Sequence, residues 1–579
     1  MQGVGGPGTP AASIMLKDTA VSARAFGGTA DTTPSAITIT ADSLVLTNED
    51  FPNERGGGAA TLLTTSLGRA PAGNIALNVG TLRVNVNPDG TPIAGARRVF
   101  LNSPSASEET TASQAGTITI SGLGQESNDP AHAVDFYNTQ ISTAVLGGTA
   151  ALAPGTITIT ADTMTMTGRT EIFAFTFGPA PAGNLFFNVN SLRANVNPDG
   201  SLINDGQPRS LLESNSFGTD HTAGKAGTVT ISGLGPESTD SAKLIALNNA
   251  EISTIVRGGT TATSPATVII TAHTLSVTNS PHIHTDTSGG APAGNLALHV
   301  NNLTADQASE IRSGTSGAGH GGNVSIDAFQ SVTLNNGSSI TASSTGSGNA
   351  GNVSINAGAQ FLSQNASVTT EASQASGGNI GVQATDSVRL VNSKLSTSVQ
   401  GGPDTSGGNI TIDPTFMTLQ NSQILAQAVQ GQGGNINIVA GNFLMDPTSV
   451  VSASSQFGLS GAVNIQSPVS MLSGTLATLP QRPLQVQHLL QQRCAAQANG
   501  QLSSLVVAGR DTLPSEPGGW LMSSMALLAE DGPVSQPSPL TSNDLLPFPQ
   551  TMIVSGQLYE RRPPSPQQSV TNWTAGCGS

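Results

Sequence analysis

The sequence predicts an all-β chain wound as a parallel β-helix, with three short strands per coil and a non-repetitive, partly disordered C-terminal tail. Three observations carry this reading. A phrase recurs at long pitch: Ala-Gly-Asn followed by alternating apolar residues, with its asparagine at Asn74, Asn184 and Asn295. The phrase then quickens to Gly-Asn at Asn323, Asn352, Asn379, Asn409 and Asn435, at intervals of 29, 27, 30 and 26 residues. Within each interval, short runs alternate apolar and polar residues between Gly, Asn and Ser turns, the period of a half-buried strand. Units this thin cannot bury their own apolar face and must stack on one another.

Residues 1–20 read as a disordered or truncated start. Met-Gln-Gly-Val-Gly-Gly-Pro-Gly has neither the basic opening nor the apolar core of a signal peptide, so export would need a segment upstream. Residues 21–320 read as helix coils carrying loop insertions under a second period of about 111–120 residues. Ile-Ser-Gly-Leu-Gly-Gln-Glu-Ser at 120–127 returns almost unchanged at 231–238. Insertions are expected at 91–114, 201–225 and 303–318, and Asn-Pro-Asp-Gly at 87–90 and 197–200 is a tight turn.

Residues 321–479 read as regular coils of 26–30 residues. In 321–350, Val324 and Ile326, then Val332 and Leu334, then Ile340 form the apolar edges of three strands. Coil starts fall near 36, 74, 117, 156, 184, 228, 267, 295, 323, 352, 379, 409, 435 and 463. At the sheet spacing these coils would make a rod roughly 65–70 Å long. Two structural roles suit the asparagine after each glycine: a left-handed corner, or an amide stacked on the asparagines above and below.

Composition excludes several functions. Net charge is -15, aromatics make up 3% of the chain, and Lys17, Lys225, Lys243 and Lys394 are its only lysines. Nucleic-acid binding would lack both phosphate-neutralising cations and stacking surfaces. No window is long and apolar enough for a transmembrane helix. The abundance of Gly, Ser, Thr and Asn is compatible with disorder, but the bounded apolar alternation between 20 and 470 argues against it.

Chemistry-bearing motifs are sparse. His282, His284 and Asp286 alternate in Pro-His-Ile-His-Thr-Asp and would share one strand face, where two imidazoles and a carboxylate are a weak candidate metal site. The corresponding stretch at 171–176, Glu-Ile-Phe-Ala-Phe-Thr, lacks these residues, and no fourth ligand or base is visible. No nucleophile elbow, zinc-protease helix, phosphate loop, dinucleotide fingerprint or calcium-binding nonapeptide is found, so no catalytic residue and no cofactor is assigned.

After about Leu479 the repeats stop. Residues 480–529 form a distinct segment, with a short helix expected in the second half of 481–499, and 530–579 is a Pro/Ser/Gln-rich tail expected to be disordered apart from a strand-like run near 552–554. Cys494 and Cys577 allow either one bridge or two free thiols. Cys494, Ser503, Ser504, Gly509, Arg510, Leu513 and Pro514, in Ser-Ser-Leu-Val-Val-Ala-Gly-Arg-Asp-Thr-Leu-Pro, resemble the C-terminal signature of filamentous-haemagglutinin-type large exoproteins. Leu505, Ala508, Asp511 and Thr512 depart from that consensus. The Gly-Gly-Asn coils between 321 and 470 resemble the body of that family.

The resemblance implies a right-handed β-helix at the surface of a Gram-negative-type bacterium, exported through an outer-membrane barrel transporter by the two-partner route. The secretion domain that the transporter reads is absent from this sequence. The expected function is a secreted or cell-surface adhesin-like rod making multivalent contacts with glycans or other surfaces, and not an enzyme. The alternatives are a polysaccharide-active β-helix enzyme, or an inert stalk or remnant of a larger exoprotein.

Overall fold

Alternation in this chain buries every second side chain of each short run, and the coil closes because those buried faces meet across a common interior. The computed structural model describes residues 10–29, 31–48, 60–105, 114–124, 129–147, 153–203, 206, 208–235, 240–260, 263–468, 551–554 and 557–560. The chain divides into a unit spanning Met1–Thr475 and a second spanning Leu476–Ser579. The first is a parallel β-helix: two extensive sheets, of 19 and 14 strands, in which each strand pairs in parallel with its counterpart one coil away. Full coils begin at Ala36, Asn74, Thr117, Thr156, Asn184, Thr228, Thr267, Asn295, Val324, Val353, Ile380, Ile410 and Ile436, each within one residue of a start marked by the sequence.

The three strands of a coil take two forms. In the coils beginning at Thr117, Thr228, Val353 and Ile436 they are separate. Elsewhere the first two run together into one bent strand of 11 or 12 residues, as in Ala36–Thr47 and Thr267–Thr278, with the third strand separate. The reason is local. In Thr267–Thr278 the inward residues are Val268, Ile270 and Ala272, then Leu275 and Val277, so His273 and Thr274 both face out and the strand bends without a turn. The third strand, such as Thr61–Leu63 or His282–His284, builds the smaller sheet. A column of single parallel bridges through Ser66, Ser105, Val145, Thr176 and Ser216 follows it. The interior is a continuous stack of Ile, Leu and Val with occasional larger fillers: Phe136, Phe187 and Phe361 are fully buried.

Other boundaries also differ from the sequence reading. Residues 11–17, placed by the sequence in a disordered or truncated start, form the strand Ala11–Lys17 and pair in register with Ala41–Thr47, because Ile14 and Leu16 continue the apolar columns of Leu44 and Leu46. The stretch 303–318 is not an insertion: it holds the end of Asn295–Asp306, the strand Glu310–Arg312 and the bridging residue Thr315, with Thr304, Glu310 and Arg312 facing out and Ser309, Ser313 and Thr315 buried. Likewise 91–114 and 201–225 contain the paired strands Val99–Asn102 and Ser210–Glu213. Their excursions begin at the Asn-Pro-Asp-Gly turns, where Gly90 and Gly200 take φ of 87° and 86° and are closed by antiparallel bridges Val86 to Pro92 and Val196 to Leu202. The long period is a super-repeat of three coils: the starts Ala36, Asn74 and Thr117 recur as Thr156, Asn184 and Thr228.

The second unit contains an antiparallel hairpin: Thr551–Val554 coincides with the strand-like run expected near 552–554, and its partner Gln557–Glu560 lies in the stretch expected to be disordered. Cys494, Ser503, Ser504, Gly509, Arg510, Leu513, Pro514 and Cys577 lie outside the described residues.

Candidate functional site

The asparagines after glycine form a ladder on the outside of the coil entrance. The side-chain carbonyl of Asn323 accepts the Asn352 N–H at 3.1 Å, Asn352 accepts that of Asn379 at 2.9 Å, Asn379 that of Asn409 at 2.8 Å and Asn409 that of Asn435 at 2.9 Å. Asn74, Asn184 and Asn295 do the same for Thr117, Thr228 and Asn323. The left-handed corner belongs to other asparagines. Asn85, Asn138, Asn195, Asn336, Asn365, Asn392 and Asn421 sit at the end of the second strand segment with φ between 46° and 54°. The signal for them was a second recurring Asn, as in Leu-Asn-Asn-Gly at 334–337. Replacing Asn352 by alanine returns one exposed N–H to water and should cost about 1 kcal/mol. Urea unfolding measures this, and a midpoint no different from that of the outward variant Ser354→Ala would refute the ladder's contribution.

Chemistry concentrates on the outer face of the smaller sheet. Parallel register places Glu171, Leu211, Glu251, His282 and Glu310 in one column and Phe173, Glu213, Ser253, His284 and Arg312 in the next outward column. His284 is the centre. Its Nδ1 lies 2.7 Å from Asp286 Oδ2 and its Nε2 lies 3.0 Å from Glu251 Oε1, with the side chain only 8% exposed. Arg312 Nε donates to both Asp286 oxygens at 3.0 and 3.1 Å, and the Gly314 N–H donates to Asp286 Oδ1 at 2.9 Å. Arg312 Nη1 also meets Glu310 Oε1 at 3.1 Å, and Arg209 approaches Glu251 at 3.6 Å. Lower on the face, Arg98 and Arg169 pair with Glu171.

Burial opposes a charge on His284, but hydrogen bonds and charge from Asp286 and Glu251 outweigh it and raise the imidazole to about 9. The same pairs, with Arg312 and Arg209, overcome burial and hold Asp286 and Glu251 below the usual carboxylate range. Burial pushes Glu213 up to about 7, reinforced by the negative charges of Glu251 and Glu171. His282 is shifted down by burial and by Arg209.

This geometry bears on the metal candidate. His282, His284 and Asp286 do share one face, with the two rings 6.2 Å apart, but His284 spends both ring nitrogens on carboxylates as an imidazolium and has no lone pair to offer. Among the described residues no group of His, Cys, Asp and Glu is arranged to hold a metal ion. The arrangement is an ion-paired brace across three coils. Beside it lies a feature that the sequence reading passed over. Phe173 stacks on Phe175 at 4.1 Å, Phe175 meets the edge of Phe217 at 4.9 Å, Phe177 tilts on Phe217 at 5.5 Å, and the Arg257 guanidinium sits 4.7 Å from the Phe217 ring centre. The signal was the alternation Phe-Ala-Phe-Thr-Phe at 173–177, noted only for lacking the histidines of 282–286.

No helix among the described residues is long and apolar enough to cross a membrane. No family model, no curated protein and no solved structure matches this chain.

Proposed function

We propose that the chain is an adhesin-like rod, secreted or held at the outer cell surface, that makes multivalent contacts with glycans or other surfaces and performs no catalysis. The observation that carries this reading is the in-register stack. Among the described residues, thirteen full coils present the same outward positions one above another, and these positions are dominated by hydroxyls and amides. Weak contacts repeated along such a face add through effective concentration. The pairing of Glu251, His284, Asp286 and Arg312 with one another supports a brace in preference to an acid–base pair waiting for substrate. The tail's resemblance to filamentous-haemagglutinin-type exoproteins supports export through an outer-membrane barrel transporter, for a form that carries the secretion domain.

The test is binding of the full chain to glycan-coated surfaces and bacterial or host cells, with polysaccharide length followed in the same wells. The expected result is saturable binding that steepens with glycan density, with no shortening. Shortening of any glycan overturns it and favours a polysaccharide-active enzyme. That second reading has one observation behind it: a Glu213 carboxyl near neutral titration beside the ionised Glu251. Loss of shortening in Glu213→Gln would then establish it.

A further inference from the structure

The junction between the first and second strand segments, a bend in some coils and a turn in others, leaves an outward groove running from coil to coil. One wall is a single column in continuous register: Thr271, His299, Asp327, Asn356, Gln383 and Asp413. Two clefts open along it, of about 320 and 470 Å³, and they meet at Asn356, which lines both. The coils from Thr267 to Ile436 take six steps, so the groove extends roughly 29 Å at the sheet spacing. Its walls carry hydroxyls, amides and two carboxylates, and no lysine or arginine lines either cleft. His299 and Asp327 face each other across one step at 3.4 Å, offering a donor and an acceptor side by side.

Two phenylalanines stand at this bend where apolar side chains are least expected. Phe329 lines the first cleft and is 77% exposed, and Phe416, beside Thr415 of the second, is 52% exposed. Both fall at irregularities of register, between Ala328 and Ser331 in one coil and between Ala384 and Ser387 against Pro414 and Phe416 in the other. In the first coil the extra residue leaves Phe329 outside the ladder; in the second the extra residue belongs to the neighbouring strand, and Phe416 stays paired with Ser387 and Asn442 as an outward residue. Three coil steps separate the two exposed rings.

We propose that this groove binds a linear, uncharged polysaccharide lying parallel to the coil axis, with sugar rings seated on Phe329 and Phe416. This rests on the adhesive reading above and gives it a substrate class. A coil step is close to the length of one pyranose in an extended chain, so successive sugars meet equivalent wall positions. Hydroxyl-rich walls suit polyol hydrogen bonding, and the apolar face of a pyranose suits an aromatic ring. Asp327 and Asp413, in a chain of net charge -15, repel uronate and sulfated polymers.

The test titrates the full chain with linear glucose and mannose oligosaccharides of two to eight units, and with heparin and polygalacturonate. Neutral oligosaccharides should bind, tightening with length to about six units, one per coil step. The double variant Phe329→Ala with Phe416→Ala should weaken that binding by about ten-fold or more, the weight of aromatic anchors at an interface. Both rings are exposed, so circular dichroism should be unchanged, and Asn356→Trp should obstruct the groove independently. Neutral binding unaffected by all three substitutions overturns the groove while leaving the adhesive reading standing. Binding of the polyanions alone overturns the charge argument and with it the proposal. Failure to bind any glycan or cell surface overturns both.

Discussion

Gly378→Ala is expected to destabilise the coil stack by on the order of 3 kcal/mol or more, enough to open the neighbouring coils to protease. A Cβ placed on Gly378 would lie 1.7 Å from the carbonyl oxygen of Gly351, one coil below. The obstacle is backbone, so no side chain can swing aside. The same contact recurs up the column: 1.9 Å from Gly351 to the Gly322 oxygen, 1.8 Å from Gly408 to Gly378 and 2.0 Å from Gly434 to Gly408. Glycine inside a sheet ordinarily weakens it, and its recurrence here reflects the space available and not chain freedom. Gly381, three residues on, has nothing within 4 Å of a Cβ, so Gly381→Ala should be neutral or stabilise by about 0.5 kcal/mol. Urea unfolding of the two variants side by side decides the matter; equal midpoints would defeat the backbone-contact account.

His284→Ala should cost about 3 kcal/mol near neutral pH, because it leaves Glu251 and Asp286 charged and largely shielded from water without their shared cation. The pH dependence gives a second readout. His284 has a folded value raised to about 9 from an ordinary 6.5, so its stabilisation is complete below 6.5 and fades as pH climbs through 9. At about 1.4 kcal/mol per unit, that is on the order of 3 kcal/mol lost across the window. Glu213, raised to about 7 from 4.5, adds a loss of the same sign between those values. Asp286 and Glu251 act in the opposite direction: their folded values are lowered, so their contribution is lost as pH falls below the carboxylate range. Unfolding free energy of the parent should therefore fall between pH 6.5 and 9, and the variant should lose most of that slope. A parent profile flat across this window would show that the imidazolium brace contributes nothing.

Much of the helix was legible because its repeating marks have backbone causes. Glycine at the coil entrance is dictated by a carbonyl below it, and the asparagine after it by a neighbouring N–H that needs an acceptor. Residues under such constraints recur at the coil period, so the starts can be read by eye. The bend within the long strands was not legible, because it uses two successive outward residues, such as His273 and Thr274, in place of a turn signature. The brace was half legible. Alternation placed His282, His284 and Asp286 on one face, but Glu251 and Arg312 reach them from other coils, 33 and 28 residues from His284 along the chain. Only coil-to-coil register brings those partners together. The phenylalanine cluster needed the same register, since Phe217 joins Phe175 and Phe177 from the coil above.

The parallel stack also sets how the chain must find its structure. Paired residues are never far apart in sequence: 26 residues separate Ile410 from Ile436, and 53 separate Leu192 from Ile245. Adding coils lengthens the molecule without lengthening any loop that must close, so relative contact order falls as the chain grows. Ordering then proceeds as a zipper, in which each completed turn is the template for the next and only the first pays the full nucleation cost. Such a chain can acquire its structure from one end while the other is still extended.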